Sequence, residues 1–202
     1  MPATAKGQRT EEAMLDAARQ VFAQKGFLNA KISDIAKAAG RSPGSFYNYY
    51  ENKEQLLEAL LDQFSTDVVE GALEAKTGDP FDGIRGAVRA YWVNYKKYLP
   101  EIIGVFQLSM TDESFAARWR ANRAAGIRAI LVGLASADRS GSQTGVDPDL
   151  LASALVSMLE GFCWTWLAMG GESGVERPDD EAAIDTLATV WYRAVYDDPA
   201  QG

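Results

Sequence analysis

The chain has 202 residues, 20 Lys and Arg against 28 Asp and Glu, a formal charge of −8, and 47% hydrophobic and 24% charged side chains. That balance suits a folded protein with an ordinary core and excludes a disordered one. The absence of histidine and the single cysteine, Cys163, exclude a His-based triad, His-ligated zinc, a thiolate cage and an intrachain disulfide, so neither metal nor cofactor is expected and no catalytic set is visible.

No run reaches the ~18 to 20 consecutive apolar residues of a membrane span, and residues 1–10 lack the apolar core of a signal peptide. A cytoplasmic protein with no membrane contact is the expectation. The charge is uneven. Residues 1–50 hold seven basic and four acidic side chains, a balance of +3, which leaves −11 for the remainder. Salt screens charges beyond about 8 Å, so a locally basic segment of an acidic protein can still meet a polyanion.

Helical periodicity runs through the whole chain. Met14, Ala18, Val21 and Phe22 mark a first helix between Thr10 and Gly26, where the glycine reads as a stop and Lys6 and Arg9 read as a tail before it. Ile32, Ile35, Ala36 and Ala39 predict a short second helix ending at Gly40. Ser42 can cap a third, from which Phe46 and Tyr49 are predicted to face inward. A fourth begins near Asn52 and carries Leu56, Leu57, Leu60, Leu61, Phe64 and Val68 on one side.

Two short helices joined by about three residues around a glycine, with a supporting helix before them, form a helix-turn-helix pattern. Gly40 can take the left-handed conformation at the turn. Pro43, Gly44, Ser45, Tyr47 and Asn48 are then left exposed on the third helix, where short polar groups, bare backbone and a phenol can approach phosphates and base edges. The aromatic run FYNYY divides on this reading: Phe46 and Tyr49 pack the module and Tyr47 reaches for DNA.

Residues 14–61, with FAQKGF, DIAKAAG, GSFYNYY and NKEQLL in order, resemble the DNA-binding domain of the TetR family of bacterial transcriptional regulators. The resemblance covers about a quarter of the chain. It implies an all-α homodimer of about nine helices per chain, with a helix-turn-helix domain at 1–52 and an effector-binding and dimerisation domain at 53–202. It implies a repressor that a small molecule releases from operator DNA. Carried over by position, Ser33, Ser42, Pro43, Gly44, Ser45, Tyr47 and Asn48 fall among the DNA-contacting set, and Lys53 at the fourth helix matches a phosphate-binding lysine. Ala30 and Lys31 stand where the family commonly has a hydroxyl, so Lys31 is expected to replace that contact by an ion pair. Arg41 replaces a usually apolar turn residue, and Pro43 a polar or cationic one.

Beyond residue 77, breaks at Thr77–Asp82, Ser136–Pro148 and Gly170–Asp180 predict helices near 83–98, 101–111, 113–134, 147–169 and 181–196. Arg118, Arg120, Arg123 and Arg128 read as a solvated basic face. The stretch LLASALVSMLEGFCWTWLAMG is apolar all round, with a small-residue stripe at Ser153, Ser157 and Gly161. In the resembling family the last two helices build the dimer, so this stripe, with Ile184, Leu187, Trp191 and Val195 of the final helix, is expected at the interface. Trp92, Tyr95, Phe106, Met110, Phe115, Trp119, Phe162, Cys163 and Trp166 are expected to line a cavity for a flat or hydrophobic effector, oriented by Asn94, Gln107, Asn122 or a tyrosine hydroxyl. Two alternatives stay open: a constitutive DNA-binding regulator without an effector, and a helical enzyme.

Overall fold

The computed structural model describes residues 4–75, 78–139 and 145–196, and among them every regular element is helical. In order these are α1 (Ala5–Lys25), α2 (Ile32–Ala38), α3 (Pro43–Phe46), α4 (Lys53–Glu74), α5 (Pro80–Lys97), α6 (Leu99–Ser109), α7 (Glu113–Arg139), α8 (Pro148–Cys163), a π-helical turn (Trp164–Ala168) and α9 (Asp180–Tyr196). Thr77 and residues 140–144, at which two of the expected breaks were placed, lie outside the described residues. The chain forms two compact units, Met1–Ser65 with Tyr98–Ala116, and Thr66–Lys97 with Ala117–Gly202. The division expected after residue 52 coincides with the start of α4, which continues through Ser65 from the first unit into the second.

In the first unit α1 begins earlier than its apolar pattern indicates. Thr4 accepts the Gly7 N–H at 3.2 Å and caps the helix, so Lys6 and Arg9 are helical and not a tail. Met14 and Phe22 of α1, Ile35 of α2, Phe46 of α3 and Leu56, Leu57 and Leu60 of α4 are almost wholly buried together, each contributing about 1.5–3 kcal/mol. Helix α6 closes this unit. Its Gly104 lies so near the α1–α2 turn that a Cβ there would stand 2.8 Å from Phe27 Cβ.

In the second unit α5 and α9 lie side by side. Arg85 pairs with Glu181 at 2.8 Å and with Asp185, Arg89 also binds Glu181, and Asp180 accepts from Lys96 and from the Trp92 indole. Asp180 and Glu181 occupy the first turn of α9, where negative charge is favoured by the helix dipole. The two arginines hold Glu181 down at about 2. A further cluster joins Ile130 and Ala137 of α7, Leu151, Ala152, Leu155 and Val156 of α8, and Val195 of α9.

The run Pro148–Ala168 is long and apolar enough to cross a membrane by length and composition, although Asp149, Ser153, Ser157 and Glu160 break it short of the consecutive apolar residues considered in the sequence. Its hydrophobicity has a local cause in this fold, since Leu151, Leu155, Leu159 and Cys163 are buried on the inner side. Glu160, held in an ion pair with Arg123 of α7, interrupts the run.

Candidate nucleic-acid interface

The interface is built from the turn outward. Helix α2 ends in a Schellman motif: Gly40, at φ +65°, donates to Lys37 O at 3.1 Å, and Arg41 N–H reaches back to Ala36 O at 2.8 Å. Only glycine takes that φ without strain. Ser42 then caps α3, its Oγ accepting from Ser45 N–H at 3.3 Å, and Pro43 occupies the first turn where no amide donor is needed. Ser42→Ala is expected to destabilise the unit by about 1 kcal/mol in chemical denaturation, because the cap of so short a helix has no neighbouring turn to replace it.

Helix α3 has four residues, and a turn follows it. The ring division therefore differs from the prediction at one position. Phe46 is fully buried, but its core partner is Tyr50, four residues on, at a centroid distance of 5.7 Å, while Tyr49 is half-buried. The Tyr50 hydroxyl donates to Glu11 at 3.3 Å, and burial first, then that carboxylate, raises its pKa well above the usual phenol range. Tyr47 is 59% exposed and packs edge-on against Phe46, so a buried ring props up an outward one.

Around Tyr47 the structure exposes Lys31, Ser33, Arg41, Ser42, Pro43, Gly44 and Asn48, with Ser45 half-buried. The nearby Lys25 is neutralised by Asp34 at 2.8 Å, which lowers the Asp34 pKa through that hydrogen bond. Lys53 departs from its expected place. Its ammonium donates to the carbonyls of Phe27 at 2.9 Å, Ala30 at 3.1 Å and Leu28 at 3.2 Å, and lies 4.5 Å from the centre of the Phe27 ring. All three N–H donors are committed inside the module, so its role in this geometry is to tie the α1–α2 turn to α4.

The expected effector residues fall on both units. In the second, Phe162 stands 6.0 Å from both Trp92 and Trp166, with Tyr95 and Cys163 buried and Trp119 and Asn122 half-buried. Burial pushes the Cys163 thiol far up, so it is an inert core group. In the first, Phe115 is buried but Phe106 and Met110 are exposed, Met110 at 74%. Asn94, expected as an anchor, donates to Ala90 O of its own helix.

The residues expected at a dimer face divide by burial. Ile184, Leu187 and Val195 are buried in the chain's own core, because α9 turns its large apolar stripe to α5 and α8; they cannot meet a partner. Trp191 is half-buried, and the open side of α9 carries Ala182, Thr186 and Val190. On α8, Gly161 faces open space and Ser157 is exposed, although Ser157 accepts from Arg123 at 3.0 Å and Ser153 is half-buried. That bond and the ion pair with Glu160 fix Arg123, one of the four arginines read as a solvated face, to α8. Among the described residues no group of three His, Cys, Asp or Glu could hold a metal ion.

Residues 14–60 match the family described as bacterial regulatory proteins, tetR family. The chain is 25% identical over 188 residues to the HTH-type transcriptional repressor AcnR of Corynebacterium efficiens, covering 86% of this chain and 96% of that one. It is 32% identical over 113 residues to the HTH-type transcriptional regulator UidR of Escherichia coli, covering 56% of this chain and 48% of that one. The crystal structure of a TetR-family transcriptional regulator from a Rhodococcus species superposes with a TM-score of 0.75 at 20% identity, over 93% of this chain and 99% of the other. A Schellman turn feeding a Ser-capped helix, an outward Tyr47 and the sequence match at the same residues converge on one assignment: residues 14–60 are a helix-turn-helix domain of the tetR family of bacterial regulatory proteins.

Proposed function

We propose that this regulator is a repressor that binds operator DNA as a homodimer and is released by a flat or hydrophobic effector. The observation that carries the DNA half is the exposed set Pro43, Gly44, Tyr47 and Asn48 beside a turn that adds the exposed cation Arg41. One such surface per protomer would enter one major-groove segment, with phosphates positioning it and base edges specifying it. AcnR, similar over most of its length, is named a repressor, which supports that sign of regulation. Action on DNA places the protein in the cytoplasm.

The effector half rests on the Trp92, Phe162 and Trp166 rings at the junction of α8 with its π-helical turn, a local widening of the helix that recurs at functional sites. The constitutive reading has one observation in its favour, the Trp92 indole already bonded to Asp180 at 2.9 Å. Tryptophan fluorescence titrated with planar hydrophobic compounds, with and without DNA selected from a random duplex library, separates the two. A true effector must bind more weakly when DNA is saturating, by the same factor by which it weakens DNA binding. A compound bound equally well in both conditions is no effector.

Dimerisation is tested at Gly161. A side chain there points into open space, so Gly161→Arg is expected to leave the protomer folded and to place a charge in the interface. Light scattering should report a monomer, and affinity for a two-half-site duplex should fall about 100-fold as the second, intramolecular binding event is lost. A dimer of native affinity would put the interface elsewhere.

A further inference from the structure

A concavity of about 400 Å³ lies between the N-terminal turns of α1 and the helix-turn-helix, lined by Thr4, Lys6, Thr10, Arg41, Ser45 and Tyr49. No carboxylate lines it. Lys6 and Arg41 bring two cations from separate elements, and among the described residues neither side chain has an ion-pair or hydrogen-bond partner. Three hydroxyls, from Thr4, Ser45 and Tyr49, stand around them. The Thr10 hydroxyl already donates to Lys6 O at 3.0 Å and holds the rim of the concavity to the helix.

We propose that this concavity is a phosphate site that takes a phosphodiester of the operator backbone, making α1 part of the DNA-binding surface. The inference rests on the DNA-binding reading above and extends it beyond α3 and the turn. Two cations and several hydroxyls around one space match the tetrahedral oxygens of a phosphate, which accept several hydrogen bonds at once. The place favours a polymer phosphate over a free one. Ser45 belongs to α3 and Arg41 to the turn before it, so a backbone following the groove read by Tyr47 and Asn48 passes this rim. Capping by Thr4 is what brings Lys6 here, since a frayed chain would scatter that charge.

The test uses the full-length protein and duplexes selected from a random library, with affinity measured across a range of salt concentrations. Lys6→Gln and Arg41→Gln change exposed side chains, and circular dichroism should show both folded. Each is expected to lower the slope of log affinity against log salt by about 0.9 per half-site, equally on selected and unrelated DNA. Tyr47→Ala should instead lose affinity on selected DNA and keep the slope. Wild-type protein that binds no duplex overturns the DNA-binding reading itself. Wild-type binding with both glutamine variants at the native slope overturns only the phosphate site. Inorganic phosphate at millimolar concentration provides the remaining arm: saturable binding to the free protein that Lys6→Gln abolishes, without a change in DNA slope, would assign the site to a free anion and overturn the phosphodiester assignment.

Discussion

Lys53→Ala is expected to destabilise the first unit by about 2–3 kcal/mol while leaving the salt slope of DNA binding unchanged. The ammonium donates to three backbone carbonyls that belong to no helix ladder, and it rests on the face of Phe27, itself 2% exposed. Hydrogen bonds to a charged group contribute more than neutral ones, and truncation leaves the carbonyl of the buried Ala30 without the Lys53 donor, while Phe27 O keeps only the Ala30 N–H at 3.2 Å. The consequence reaches DNA indirectly. Freeing the α1–α2 turn loosens α2, and with it the Schellman turn that aims α3. Chemical denaturation together with affinity at several salt concentrations separates this role from the phosphate contact expected by resemblance. Native stability with a slope reduced by about 0.9 per half-site would return Lys53 to the phosphate backbone.

Lys53 also marks where the sequence stops being legible. A lysine at the start of a helix looks the same whether its stem runs out to solvent or back across a turn, and only the fold supplies the three carbonyls. The turn itself was readable, because Gly40 and Ser42 are chosen by backbone geometry that few residues satisfy. The inward tyrosine was not. Tyr49 and Tyr50 stand three and four residues after Phe46, both spacings lie on one helix face, and the choice falls to Tyr50 where α3 gives way to a turn. The face of α9 failed for a related reason: periodicity shows that Ile184, Leu187 and Val195 share a side, but not whether that side meets its own chain or a copy. Burial answers for the first, and the small residues opposite become the candidates for the second.

Glu101→Gln is expected to stabilise the protein by about 3 kcal/mol at pH 8 and by almost nothing at pH 4. Glu101 sits in the first turn of α6 at 1% exposure, and neither carboxyl oxygen has a hydrogen-bond partner by geometry. Loss of water pushes its pKa up to about 7, against the weaker opposing pull of its own backbone amide and of Arg19. Arg19 is otherwise engaged, with Asp16, Gln63 and the Tyr98 hydroxyl. Below about pH 4.5 the folded and unfolded chains both hold the proton, and the buried group is neutral. Between about 4.5 and 7 the unfolded chain has released it while the folded chain keeps it, so stability falls by about 1.4 kcal/mol for each pH unit gained. Above about 7 both have lost it and the penalty is constant. A glutamine of the same shape carries no such penalty at any pH. Because the chain has no histidine, no other side chain ordinarily titrates from pH 5.5 to 7, and the difference between wild type and variant over that interval reads Glu101 alone. Urea denaturation at half-unit steps of pH should give curves that meet on the acid side and part toward neutrality. Parallel curves would mean that the carboxyl finds a partner or water in solution, and that the first unit carries no proton-linked cost in joining α6 to the reading head.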